Sequence, residues 1–136
     1  MPRNVAIGLG LTEFSFTGVG GYWRWVDLCE AGGIDSLWQT DRMVSREPIL
    51  ECMSVMAALA GRTRRLKFGV NVVSLAFRDP VLVAKQCATI DVLSEGRLLP
   101  AFGIGRALVT AGEINIEPCA AELGHARRLL PAGPHF

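Results

Sequence analysis

Histidine is nearly missing from this chain, and the two present, His125 and His135, both lie close to the C-terminus. Neither falls among the strand ends where chemistry is expected below. Paired cysteines are also missing: Cys29, Cys52, Cys87 and Cys119 are widely spaced, with no Cys-x-x-Cys. The first three fall on apolar faces of predicted helices, where cysteine acts as a small hydrophobe, so free thiols are expected rather than metal ligands or disulfides. Excess charge is lacking too. A net charge of +1 gives no reason to expect nucleic acid or an anionic membrane surface as partner. No apolar run reaches the roughly 18 residues of a membrane span. Residues 5–11 are broken by Thr12-Glu13 and carry no small-residue cleavage pattern, so no signal peptide is expected and a cytoplasmic location is the default. Length sets the last limit, since 136 residues make one domain with a sizeable core but fall well short of the roughly 250 of a closed eight-stranded barrel.

What is present is α/β patterning: 50% hydrophobic against 20% charged residues. The clearest stretch is residues 66–106. An apolar run of strand character, 66–75, leads through Arg78 into Asp79-Pro80, an N-cap acid followed by proline at the first helical position. The helix continues to Leu93 and is stopped by Ser94-Glu95-Gly96. A second apolar run, 98–102, ends in Gly103-Ile104-Gly105. A strand, a crossover helix and a strand place the two strands parallel with the helix packed on the sheet. Chemistry then belongs at the C-terminal ends of the strands.

The earlier residues repeat the alternation. Residues 4–11 and 34–40 read as strands, and 22–31 and 48–60 as helices. At 100° per residue Tyr22, Trp23, Trp25, Val26 and Cys29 share one arc of the first helix, and Ile49, Cys52, Val55, Met56 and Leu59 one arc of the second. On the third helix Val83, Ala84, Cys87, Ala88 and Ile90 form the expected buried arc with Asp91 in its middle. A buried carboxylate needs a partner, and Arg97 is the expected one. Arg62, Arg64 and Arg65 read as a solvated connection at the non-catalytic end of the strands. Pro100 inside the fourth strand forfeits a ladder hydrogen bond and predicts an irregularity there.

The combination of Asp35-Ser36-Leu37-Trp38, then Asp41, then AFRDPVLVAKQCATIDVLSEGR, then Gly103-Ile104-Gly105 resembles the bacterial luciferase-like monooxygenase family over residues 5–106. The resemblance implies the N-terminal half of a (β/α)8 TIM-type barrel in residues 1–106: four parallel strands with covering helices. Residues 107–136 do not match and are expected to form a divergent tail, with one helix at 118–130. It implies reduced FMN or its deazaflavin analogue as cofactor, and oxidation of an organic substrate by oxygen, or hydride transfer with the deazaflavin. It also implies a homodimer through helices two and three, which would cover Leu82 and Leu93.

By the same resemblance Asp41 and Arg42 are the candidate catalytic residues, and Asn71, Val72, Gly103, Ile104 and Gly105 the candidate cofactor-binding residues. The positions matching Asn71-Val72 form, in such enzymes, a bulge that props the ring, often with a cis peptide. Where many relatives have histidine after the acid, this chain has Arg42, a permanent cation that suits an anion or a substrate tail better than proton transfer. Glycines at a strand end permit close backbone approach to the cofactor chain. Two other readings stay open at this point: an inactive fragment or interaction module that keeps the dimer helices, and a small Rossmann-like nucleotide binder. On its own the Gly-Ile-Gly run, lacking a third glycine, is a weak dinucleotide signal.

Overall fold

The computed structural model describes residues 5–42, 45 and 47–103. The expected tail helix, Cys119 and both histidines lie outside the described residues. Four strands, β1 (Gly8–Leu11), β2 (Ser36–Gln39), β3 (Lys67–Ser74) and β4 (Leu98–Gly103), alternate with three helices, α1 (Val19–Ala31), α2 (Cys52–Arg62) and α3 (Pro80–Leu93). The sheet is parallel throughout in the order β1-β2-β3-β4. That order contains no reversal, and a reversal is what creates the ligand crevice of a doubly wound nucleotide-binding sheet. Among the described residues the Rossmann-like alternative therefore lacks its site.

The core lies where Val26, Met56 and Leu59 from the helices meet Leu37, Phe68 and Val70 from the strands and Leu66 just before β3. Cys29 and Cys52 are buried free thiols and Cys87 is half-buried and free, as the patterning predicts. On the face away from the core, Trp38 donates from Nε1 to Ser36 Oγ at 2.9 Å. A side chain at Gly69 would collide with the Trp38 ring and with the carbonyl of Leu99, so glycine is required beneath that ring.

Two helix starts differ from the expectation, for long-range reasons. α2 begins at Cys52, because Pro48, Ile49 and Leu50 lie outside the helix, and the carbonyls of Pro48 and Leu50 are tied to other segments. Pro48 O accepts from Phe14 N at 2.6 Å, and Leu50 O accepts from Gln39 Nε2 at 2.5 Å. Glu51 then caps the helix by accepting from the N–H groups of Met53 (3.1 Å) and Ser54 (2.7 Å). Ile49, expected on the apolar face of α2, is thus outside the helix. α1 starts three residues early, with Val19, because Phe16 packs edge-on against Tyr22 at 5.6 Å between centroids and tethers the glycine-rich first turn. α3 matches its expected bounds, with Asp79 Oδ1 accepting from Leu82 N at 2.8 Å.

The buried arc of α3 is narrower than its periodicity suggests. Val83 and Ile90 are buried and Cys87 is half-buried, while Ala84, Ala88 and Asp91 are exposed. α3 packs against α2 and β4 along the 83, 87 and 90 stripe, and Asp91, 100° beyond Ile90, points away from it. The expected Asp91–Arg97 pair does not form. Arg97 instead donates to the carbonyls of Ala60, Thr63, Leu66 and Ser94 and to Thr63 Oγ1. The arginine cluster is also more than a solvated connection. Arg65 donates to the carbonyls of Cys29, Glu30 and Ile34, while Arg62 forms an exposed ion pair with Asp27.

Pro100 is accommodated, not disruptive. It faces Val70 from β4, the edge strand of the described sheet, and is itself exposed. An edge strand can spare one N–H. The irregularity falls just beyond it, on β3.

Candidate functional site

Because the strands are parallel and in chain order, their C-terminal ends form one rim. It is made by Thr12 to Phe14, Thr40 to Arg42, Asn71 to Ser74 and Gly103. Ile104 and Gly105 lie outside the described residues. Between Val70, paired with Pro100, and Val73, paired with Phe102, the β3–β4 register shifts. Asn71 and Val72 together face the single residue Ala101 there, which is a bulge. The peptide between them is cis. Asn71 is exposed and Val72 half-buried, so a small apolar surface sits beside backbone polar groups that the β3–β4 ladder does not pair.

Asp41 stands behind that bulge. Its side chain is 3% exposed, and both oxygens are engaged: Oδ1 accepts from Arg78 Nη2 at 2.8 Å, and Oδ2 accepts from Arg78 Nε at 3.1 Å and from Ser74 N at 2.9 Å. Arg78 is itself 11% exposed and bridges further, from Nη1 to Glu51 Oε1 at 2.9 Å and from Nη2 to Cys52 Sγ at 3.2 Å. Burial works against the charged guanidinium, but the hydrogen bond to Asp41 and the other negative neighbours outweigh it and hold the Arg78 pKa above its ordinary value. Burial, reinforced by the Asp41 charge, pushes the Cys52 thiol up. Cys52 is also 1% exposed, the setting of a structural rather than a reactive thiol. Arg42, next to Asp41, is exposed on the rim.

The expected residues Asp41, Asn71, Val72 and Gly103 lie on this one rim, while the Asp41 partners Arg78, Glu51 and Cys52 were not expected. One signal was available. Asp41 and Arg78 each follow the C-terminal end of one of two adjacent parallel strands, where opposite charges meet.

The donor set suits a flat tricyclic cofactor. Such a ring needs an apolar prop, backbone donors and acceptors for its pyrimidine edge, and an open approach. The bulge offers the first two, and the rim is the open side. The voids beneath the aromatic cluster, lined by Tyr22, Trp25 and Trp38 or by Phe14 and Tyr22, measure about 10 Å³ each, roughly the room of one water.

Comparison with known proteins gives the class. The family model of luciferase-like monooxygenases matches residues 18–118, and the chain belongs to that family. Limonene 1,2-monooxygenase of Rhodococcus erythropolis is 43% identical over 63 residues, covering 46% of this chain and 16% of that enzyme. An F420-dependent glucose-6-phosphate dehydrogenase of Amycolatopsis mediterranei is 34% identical over 86 residues, covering 58% of this chain and 25% of that enzyme. The chain thus spans a quarter or less of these relatives. Among solved structures, the oxygenating constituent of 3,6-diketocamphane monooxygenase from Pseudomonas putida, a type II Baeyer-Villiger enzyme in complex with FMN, overlays with TM-score 0.65 at 18% identity, covering 90% of this chain and 39% of that one. The coenzyme F420 dependent tetrahydromethanopterin reductase of Methanopyrus kandleri overlays with TM-score 0.61 at 24% identity, covering 75% and 28%. At such identities the overlay speaks for the fold: four strands and three helices of a (β/α)8 barrel.

Proposed function

We propose that this chain forms the ring-side rim of a flavin-type oxidoreductase acting on an organic substrate. The cofactor is reduced FMN or the deazaflavin coenzyme, as in the relatives named above, and when bound it supplies the oxygen or hydride chemistry. The observation that carries this reading is the Asn71-Val72 bulge, at the C-terminal rim and beside Asp41. Val72 props the ring, the backbone at Asn71 and Val72 meets its polar edge, and Gly103 lets the backbone approach the cofactor chain. Arg42 offers a permanent cation to an anion or a substrate tail. Arg42 stands exposed on the rim near the reacting edge, with Asp41 buried behind the bulge. Buried free thiols at Cys29 and Cys52 fit a reducing, cytoplasmic setting, and no helix among the described residues is long and apolar enough to cross a membrane.

A second copy of the chain is the partner we infer for α2 and α3. Leu82 and Leu93 are 57% and 65% exposed, beside Val81 and Val92 at 76% each. Replacing Leu82 and Leu93 with glutamate is expected to convert a dimer to monomer or aggregate in sedimentation. A monomer both before and after the change would remove the dimer.

The test of function is titration of the 136-residue chain with FMN and with F420. Barrels commonly take their phosphate site from the seventh and eighth strands, so ring-side contacts alone should give binding no tighter than about millimolar, near 4 kcal/mol, and no turnover. No binding even well above millimolar cofactor would defeat the flavin reading. Micromolar binding or oxygen-dependent turnover would instead mean that residues 104–136 or a partner chain complete the site.

A further inference from the structure

The geometry points to Asp41 and Arg78 as positioning residues, a clamp that sets the Asn71-Val72 bulge against the ring. The inference rests on the flavin reading above and changes what Asp41 does within it. On the β2 side, Gln39 pairs with Val70, and two residues on Asp41 Oδ2 accepts from Ser74 N. From the last β2–β3 pair to this contact the first chain segment advances two residues, 39 to 41, beyond the end of β2, while β3 advances four, 70 to 74. The extra length on β3 includes Asn71 and Val72, where the β3–β4 register shifts. The Asp41 carboxylate takes the place of the missing ladder partner and pins the far end of the bulge.

Arg78 fixes the carboxylate in turn. Its fork meets Asp41 through two nitrogens, and its third nitrogen reaches Glu51, the N-cap of α2. Three segments meet at one guanidinium: the loop after β2, the start of α2 and the turn after β3. With both oxygens engaged and 3% exposure, Asp41 acts on the cofactor through Ser74 and the bulge. A planar fork does this and a point charge does not.

The test follows amide signals of the whole chain by NMR during FMN titration, in the wild type, Asp41→Asn, Arg78→Lys and the control Glu30→Gln at the opposite end of the sheet. FMN should shift the amides of Val72, Val73 and Ser74, and both clamp variants should weaken that response about tenfold or more, while Glu30→Gln leaves it unchanged. In the absence of FMN, amide exchange at residues 71–74 should quicken in the clamp variants, with Leu37 and Phe68 unaffected. If Asp41→Asn does not fold, Arg78→Lys, which keeps the charge, carries the test. Wild-type affinity in a folded clamp variant, or faster exchange spread evenly along β3, overturns the clamp. If the wild type responds to neither FMN nor F420, the flavin reading fails, and the exchange data alone decide whether the clamp orders the bulge.

Discussion

The two ends of this sheet are both bound by partly buried ions, but the ions hold different things. At the N-terminal end they hold backbone. Glu30 accepts from the N–H groups of Arg64, Arg65 and Leu66, and Arg97 donates to four carbonyls and one hydroxyl while its guanidinium lies 5.3 Å from the centre of the Phe68 ring. These groups end helices and begin strands, so the base closes on itself. At the C-terminal end ions hold one another as well as backbone: Asp41, Arg78 and Glu51 share one network, with Ser74 N on Asp41 and the first turn of α2 on Glu51. The bulge beside it is left with polar groups outside the β3–β4 ladder. A region that satisfies its own backbone is a foundation, and one that braces an unpaired segment is prepared for something else to bind.

The largest expected effect lies at the rim. Arg78→Ala strands Asp41, 3% exposed, as an uncompensated buried charge, and should cost about 3–5 kcal/mol in urea denaturation. A loss below about 1 kcal/mol would place the pair among exposed bridges, like Arg62–Asp27 at 49% and 53% exposure. At the base, Arg97→Ala leaves the carbonyls of Ala60, Thr63 and Leu66 short of a donor. It should cost about 3 kcal/mol. If the Arg97 loss were instead negligible, water would serve those carbonyls as well as the guanidinium does, and the base would not be self-contained.

The next effect is smaller and depends on pH. Burial tends to raise the Glu30 carboxyl, but the N–H groups of Leu66, Arg64 and Arg65 outweigh it and hold its pKa below the ordinary 4.5. Since the folded value lies below the unfolded one, Glu30 contributes stability above about pH 4.5 that is lost as pH falls through the folded value. Glu51 has the same sign: the Ser54 hydroxyl and the amides of Ser54 and Met53 outweigh burial. Glu30→Gln should therefore cost about 1–2 kcal/mol at neutral pH and flatten the acid limb of a stability-against-pH curve. An unchanged acid limb would show that the base does not depend on that charge.

These contrasts also mark what could be read from the sequence. The alternation of strands and helices, the Asp79-Pro80 start of α3 and the rim at the strand ends all follow from local patterns. The start of α2 did not, because Phe14 and Gln39, far away in the chain, bind the carbonyls of Pro48 and Leu50 against a local proline signal. Asp41 was legible as a rim acid, yet its engagement was not. Hydrogen bonds spanning 33 and 37 residues leave no periodic trace in the chain.

The smallest expected effect tests the arc of α3, where helical periodicity misled. Asp91 sits between the buried Ile90 and the exposed Val92, and the wheel alone puts it inside the apolar arc. Yet the stripe that packs is 83, 87 and 90, and Asp91 is exposed. Its nominal partner Arg97 already donates to Ser94, Thr63, Leu66 and Ala60. Asp91→Ala removes a carboxylate from solvent and leaves that donor set whole, so the change in urea denaturation should stay within about 0.5 kcal/mol. Alanine also has the higher helix propensity of the two, so a slight gain is the expected sign. A loss of several kcal/mol would mean that the charge is buried after all, and that the base of the sheet, like the rim, is held by an ion gripping an ion.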